Sequence, residues 1–408
     1  MKKETFSLDA VYSAYLDCRR RKRNTKACAE FELNEVENIY SLYKDLNNGT
    51  YTIGKSIAFC VTRPKIREVF AASFRDRIVH HLLILRYGDL LENYFISDTY
   101  NCRKGKGTMY GHNRALDLSK EYSDGWVLSF DISGFFMSID KTILANRIEI
   151  FLRERYKWED IEEVIALTRQ VVLHNSELNC ERRGDLKLWN KLPKEKSLFY
   201  SKMNKGLAIG NLTSQIYANF YMADFDKFMM SKLGSGYQRY VDDGRGYSHN
   251  RDALLYLIPV IRKYLKEQLA LKLHPNKIEF QQVRKGFKFI GASIKKKRLY
   301  IGNRTVGNFY NMVIKYNKNP EKSFMKDMEG FVCRYNSYSG FLAWKRTYKI
   351  RCKIWNNVSE YIKDYVYIRN NKSSIVLKKE YRVLTKYKKR KNDLQHIYKR
   401  RFQRNRTI

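Results

Sequence analysis

Two N-terminal stretches repeat apolar residues at helical spacing. Residues 6–24 (FSLDAVYSAYLDCRRRKRN) predict a helix ending in a basic run, and 31–51 (FELNEVENIYSLYKDLNNGTY) a second one stopped at Asn-Asn-Gly. The pattern turns β-rich over 51–70 and helical again over 74–95. Residues 125–140 (GWVLSFDISGFFMSID) read as an apolar strand running into a loop. Amphipathic helices follow over 141–156 and 160–175. Residues 176–205, rich in Lys, Arg and Leu, predict an irregular insertion. A long helix is expected over 211–233, a strand–turn–strand over 237–248 (YQRYVDDGRGYS), a helix over 252–273 and a hairpin over 287–301. Beyond residue 303 the chain reads as helical. Helices and short strands alternate with no regular βαβ period and no internal repeat. That predicts an α+β fold, a small antiparallel sheet backed by helices.

Charge changes the picture. The 408-residue chain carries 79 Lys+Arg against 42 Asp+Glu, a net charge of +37. So large an excess calls for a polyanionic partner, with nucleic acid first. From residue 345 onward there are 21 Lys+Arg against 4 Asp+Glu, with Tyr and Trp355 interleaved. Such basic stripes with stacking side chains suit RNA or a hybrid duplex. No apolar run of membrane-spanning length and no leader-like segment occurs, so no membrane partner and a cytoplasmic location are expected. The seven cysteines are scattered without CxxC spacing, which argues for free thiols.

Within this basic chain three carboxylates stand out. Asp131 closes the apolar run WVLSF, and Asp242 and Asp243 follow YQRYV. A carboxylate ending a buried strand needs a positive partner. If the two strand ends meet in one sheet, three carboxylates share an edge. That set suits Mg²⁺, with Mn²⁺ as a substitute, and two ions could serve phosphoryl transfer.

The order of segments resembles a known family. SFDISGFFMSID, KGLAIGNLTSQIYANFYMADFD, YVDD, LALKLHPNKIEF and KGFKFIGASI stand in the order of reverse-transcriptase motifs A to E. RPKIREVFAASFRDRIVHHLL and YNCRKGKGT resemble the finger motifs before them. The resemblance implies a right-hand polymerase. It would have an N-terminal helical extension (1–50), fingers and palm (51–300), and a helical thumb with a basic tail (301–408). It implies an RNA-directed DNA polymerase with Asp131, Asp242, Asp243 and Lys277 as catalytic residues. Asp131, Asp242, Asp243 and the carbonyl of Ile132 would serve the metals, with Asp243 as the outer partner. Lys65, Arg67, Phe136, Ile209 and Gly210 would face the dNTP, Phe136 as the ring that excludes a 2′-hydroxyl. Gly210 would let the backbone approach the nascent base pair. Arg77, Arg103, Lys104, Ser214, Gln215, Tyr240, Phe289 and Gly291 would line template and primer. The implied partners are a template or noncoding RNA, a DNA primer or cDNA, and dNTPs. An accessory protein or a homo-oligomer is left open.

Ile209 and Gln215 resemble the enzymes of diversity-generating retroelements, which copy a template RNA with adenine-directed errors. Ala208, and Gly244-Arg245-Gly246 after YVDD, depart from that pattern. The alternatives are a phage-defence reverse transcriptase working with a noncoding RNA and, from another class, an RNA-binding maturase or scaffold with a polymerase fold. Arg245 is expected to reach a nucleic-acid phosphate or a partner protein rather than the metal site.

Overall fold

A computed structural model describes residues 5–382 except 21, 63–64, 296 and 344. Two compact units divide at Arg284/Lys285. The first unit begins with α1 (Leu8–Arg19), α2 (Lys26–Glu32) and α3 (Glu35–Asn48), the last ended by Gly49 at φ +72°. Strands β1 (Ser56–Val61) and β2 (Arg67–Ala71) form a hairpin, and α4 (Phe74–Tyr94) and α5 (Thr108–Glu121) follow. Next come β3 (Trp126–Phe130), the short α6 (Phe135–Ser138), α7 (Lys141–Arg155) and α8 (Ile161–Leu173). The expected insertion is irregular apart from short 3₁₀ turns and β4 (Cys180–Arg182), which pairs parallel to β1.

The expected long helix over 211–233 is two helices, α9 (Leu212–Tyr221) and α10 (Ala223–Leu233), joined at Met222. β5 (Tyr237–Tyr240) and β6 (Asp243–Ser248) form the expected strand–turn–strand. α11 (Arg251–Leu269) and β7 (Glu279–Gln282) complete the unit.

The sheet that organises the first unit runs β5-β6-β3-β7, all antiparallel. Its register pairs Ser129 with Arg245 and Phe130 with Gly244. One face packs on a core shared with the N-terminal helices, in which Val11, Leu42, Ile78, Leu128, Phe130, Phe225 and Leu265 are buried.

The second unit opens with β8 (Phe287–Phe289), β9 (Ala292–Lys295) and β10 (Arg298–Ile301). This is a three-stranded antiparallel sheet where a simple hairpin was expected. The helices are α12 (Asn303–Asn317), α13 (Pro320–Lys326), α14 (Met328–Ala343), α15 (Tyr348–Asn356) and α16 (Glu360–Lys363). A hairpin of β11 (Val366–Arg369) and β12 (Ser374–Leu377) interrupts the expected all-helical end. Asn336 ties it to α14 by bonding both the N–H and the C=O of Ile375. This unit has its own core around Phe309, Phe331, Tyr335 and Ile354. The last 26 residues of the basic tail lie outside the described residues. All seven cysteines are unbridged. No described helix is long and apolar enough to cross a membrane.

Candidate active site

The sheet register brings the three carboxylates to one edge. Phe130 pairs with Gly244, so Asp131, one residue on, comes level with Asp243, one residue back. Side chains alternate between sheet faces, so both share a face with Ser129 and Arg245. Tyr240 pairs with Asp243, leaving Val241 and Asp242 as a two-residue turn between β5 and β6. Val241 has φ +59°. A positive φ at the first central residue matches a tight hairpin turn with II′-like handedness. For a β-branched residue it is an outlier that costs about 1–3 kcal/mol. The side chain of Val241 packs against the core.

The chain beyond Asp131 stays aligned with the segment preceding Lys277. His274 N–H donates to Asp131 O (2.8 Å), Ser133 N–H donates to Lys272 O (2.9 Å), and Ile132 bridges Leu273. Lys277 Nζ then reaches Asp131 Oδ1 at 3.0 Å. Burial, with Asp131 and Asp243 adding repulsion, pushes the Asp242 carboxyl up to about 6, while Lys277 opposes the rise. Asp243 is likewise raised by burial, against the pull of Arg245.

Arg245 departs from the expected phosphate or partner-protein contact. It does not point outward: it is 6% exposed and ion-pairs with Asp243. Its row of the sheet is Gln238, Arg245, Ser129 and Glu279, directly beneath the carboxylates. Glu279 is close enough to raise Asp243 further. Glu279 was missed from the sequence, because only the strand order places it there.

The flanking glycines have a packing cause. A Cβ on Gly244 would lie 2.3 Å from Cζ of Phe130, and one on Gly246 would lie 2.8 Å from Cδ1 of Leu233. Gly244→Ala should therefore destabilise the protein by about 1–3 kcal/mol or more, because the ring fills the space from a rigid strand. Chemical denaturation checks this, and an unchanged midpoint would contradict it.

The remaining expected residues fall in several places. Gly210 (φ +125°) leaves room for β2: an added Cβ would sit 2.6 Å from Phe70 O and 2.8 Å from Cγ1 of Val69. The close approach visible here is to that strand, to which Ile209 O is also bonded by Phe70 N–H (2.7 Å). Phe135 is buried in the core, and Phe136 is half-buried with its carbonyl accepting from Leu207 N–H (2.8 Å). Lys65 and Arg67 are exposed at the tip of the β1–β2 hairpin.

Arg103 is held inside the fold, with its side chain only 5% exposed. Its guanidinium donates to Glu92, Thr99 and the carbonyl of Ile96, so it offers little to a template. Lys104 beside it is exposed. Arg77 Nε donates to Ala72 O (2.9 Å). Ser214 is buried, and Gln215 Oε1 accepts from Cys102 Sγ (2.9 Å). Tyr240 is half-buried beside the turn. Phe289 is buried, and Gly291 has φ +77°; both belong to the second unit. His80 is buried, and burial pushes it down to about 4; His81 Nδ1 pairs with Asp17 (2.7 Å).

Among the described residues no ready-made cluster of three metal-ligating side chains exists. The donor set nonetheless fits hard divalent ions: all-oxygen, acidic, and left with repulsion on Asp242 that Lys277 only partly offsets.

The family model for "Reverse transcriptase (RNA-dependent DNA polymerase)" matches residues 61–294. No curated protein sequence matches the chain. Among solved structures the chain is similar to apo telomerase from Candida Tropicalis truncated from C-terminal domain, at 12% identity and a TM-score of 0.43. That match covers 66% of this chain and 60% of the telomerase chain. The family match spans more than half of the chain, including all three carboxylates, and the chain belongs to the reverse transcriptase (RNA-dependent DNA polymerase) family.

Proposed function

We propose that the protein copies RNA into DNA at the edge formed by Asp131, Asp242 and Asp243. The observation that carries this reading is the antiparallel register that levels Asp131 with Asp243 and leaves Asp242 in the turn between them and β5. Asp131, Asp242 and the carbonyl of Ile132 would hold Mg²⁺, with Asp243, held by Arg245, as the outer partner. When bound, two such ions supply charge neutralisation for the attacking 3′-oxygen and the leaving pyrophosphate. Lys277, 54% exposed and adjacent to Asp131, is placed to swing toward a phosphate oxygen and donate a proton or a charge there. Lys65 and Arg67 form an exposed cationic tip suited to a triphosphate. Phe136 stands as the ring that excludes a 2′-hydroxyl. Arg77, Lys104, Ser214, Gln215, Tyr240, Phe289 and Gly291 are proposed template and primer contacts, and Arg103 supports the fold that carries them.

Asp242 also sets a pH dependence. Below about pH 6 it carries a proton that a metal must displace. Apparent Mg²⁺ affinity should therefore rise by about tenfold per pH unit up to about pH 6 and level off above it. Calorimetric titration in the absence of nucleic acid checks this. A flat profile from pH 4.5 to 7 would remove Asp242 from the ligand set.

The finer reading is a bacterial, cytoplasmic enzyme of the diversity-generating retroelement type, copying a cognate template RNA. It rests on Ile209 and Gln215 in the loop and helix before the catalytic turn. Ile209 offers no side-chain hydrogen bond near the base pair. Sequencing cDNA made by the purified protein tests it: substitutions concentrated at template adenines support the retroelement type. Faithful copies of a structured noncoding RNA would support the defence type instead. RNA binding without any incorporation would leave a scaffold. Phe136→Val should admit ribonucleotides at least about tenfold better relative to dNTPs, a discrimination in the range a shape-selective pocket supplies. Unchanged selectivity would remove Phe136 from that role.

A further inference from the structure

Val241 holds an unfavourable backbone conformation, and two side chains grip its polar groups. Its N–H donates to Asn101 Oδ1 at 3.1 Å, and its carbonyl accepts from Arg239 Nη1 at 2.6 Å. Neither partner is loosely placed. Arg239 and Asp226 are each 1% exposed. Arg239 Nε and Nη2 donate to Asp226 Oδ1 and Oδ2 at 2.7 and 2.6 Å, and the Tyr237 hydroxyl adds a bond of 2.9 Å to Oδ1. Asn101 is 3% exposed, and its own carbonyl accepts from Asn219 Nδ2 at 2.7 Å. The backbone of Arg239 is fixed as well, its N–H donating to Asp98 O at 2.9 Å.

A core ion pair joining α10 to β5 would be the plain reading. It does not explain why the third arm of the guanidinium ends on the carbonyl of the one left-handed, β-branched residue in the turn. A buried pair is in any case weak evidence for stability, and its best-attested use is to specify one conformation. Arginine is the side chain that can serve both partners. Its planar fork takes the carboxylate along one edge and leaves Nη1 for a second acceptor, which a lysine cannot reproduce.

We propose that Asp226, Arg239 and Asn101 form a positioning frame that holds Val241 left-handed and so aims Asp242 at Asp131. All three are at most 3% exposed, so they act through the turn rather than on substrate. The inference rests on reading the carboxylate edge as the metal site.

The test uses the full-length protein and Mn²⁺ as the probe, with affinity read by electron paramagnetic resonance without nucleic acid. Arg239→Lys should lower Mn²⁺ affinity and kcat by about tenfold, as loss of an outer partner of a metal site does, with dNTP KM changed little. The double variant Asp226→Leu/Arg239→Met removes both buried charges. It should melt no lower than wild type, yet show the same loss of Mn²⁺ affinity. Adding Val241→Gly to Arg239→Lys should recover much of that affinity, because glycine takes a positive φ without strain. Wild-type Mn²⁺ affinity and kcat in both Arg239 variants would overturn the frame, as would a loss that Val241→Gly leaves untouched. Wild-type protein that binds no Mn²⁺ would instead overturn the reading of the site itself, and the frame with it.

Discussion

Replacing Asp242 with Asn is expected to stop nucleotide incorporation and yet raise the melting temperature of the metal-free protein. Burial and the neighbouring Asp131 and Asp243 raise the Asp242 carboxyl from 3.8 to about 6. Between those two pH values the native state binds a proton that the unfolded chain does not. Stability therefore falls as pH climbs from about 4 to about 6, and it stays lower above. The shift corresponds to at most about 3 kcal/mol of native-state penalty at neutral pH. Asparagine keeps the shape and removes the charge, so a gain of about 1–2 kcal/mol, or a few degrees, is expected in EDTA. Incorporation should drop at least about a thousandfold, since a group that organises charge at the reacting phosphate is gone. Added Mg²⁺ should no longer stabilise the variant as it does the wild type. A lower melting temperature in EDTA, or retained incorporation, would contradict the site.

The largest stability effect is expected one layer below. Arg239→Met leaves Asp226 buried with the Tyr237 hydroxyl donating to it in place of the guanidinium pair. Breaking a buried pair from one side costs about 3–5 kcal/mol, because a charge is left uncompensated. At this unit size that is a fall of about 10 °C. Removing the second charge with Asp226→Leu should restore the wild-type melting temperature or exceed it. A single variant as stable as wild type would mean that Asp226 is not held as a carboxylate by Arg239. Thermal denaturation of the full chain at neutral pH reads both variants.

These layers differ in how visible they were. Asp131 was legible because it ends the apolar run WVLSF, where a carboxylate is out of place, and Asp242 and Asp243 because two carboxylates stand side by side in a strongly basic chain. The α+β architecture followed from the alternation of helices and short strands. The strand order was not legible, because pairings between β3, β6 and β7 join residues more than a hundred positions apart. Without that order, Arg245 was expected at a nucleic-acid phosphate or a partner protein, and Glu279 had no place near the site. The two glycines beside Arg245 stood out only as a departure from the retroelement pattern, whereas Phe130 and Leu233 require them. A signal for the frame was present: Asp226 falls in step with Met222 and Met229 on the buried side of its helix, where an acid needs a partner. Arg239 could not be picked out as that partner among 79 Lys and Arg residues. Arg103 was misplaced for the same reason, since a basic residue in a basic loop gives no hint that its guanidinium is turned inward.

The most direct measurement is extension of a DNA primer on an RNA template by the purified protein with Mg²⁺. The wild type should extend with dNTPs and far more slowly with rNTPs. The Asp131→Asn protein should bind the same template–primer and extend neither. Extension by Asp131→Asn at the wild-type rate, or no extension by the wild type on any RNA template, would contradict a polymerase site at this sheet edge.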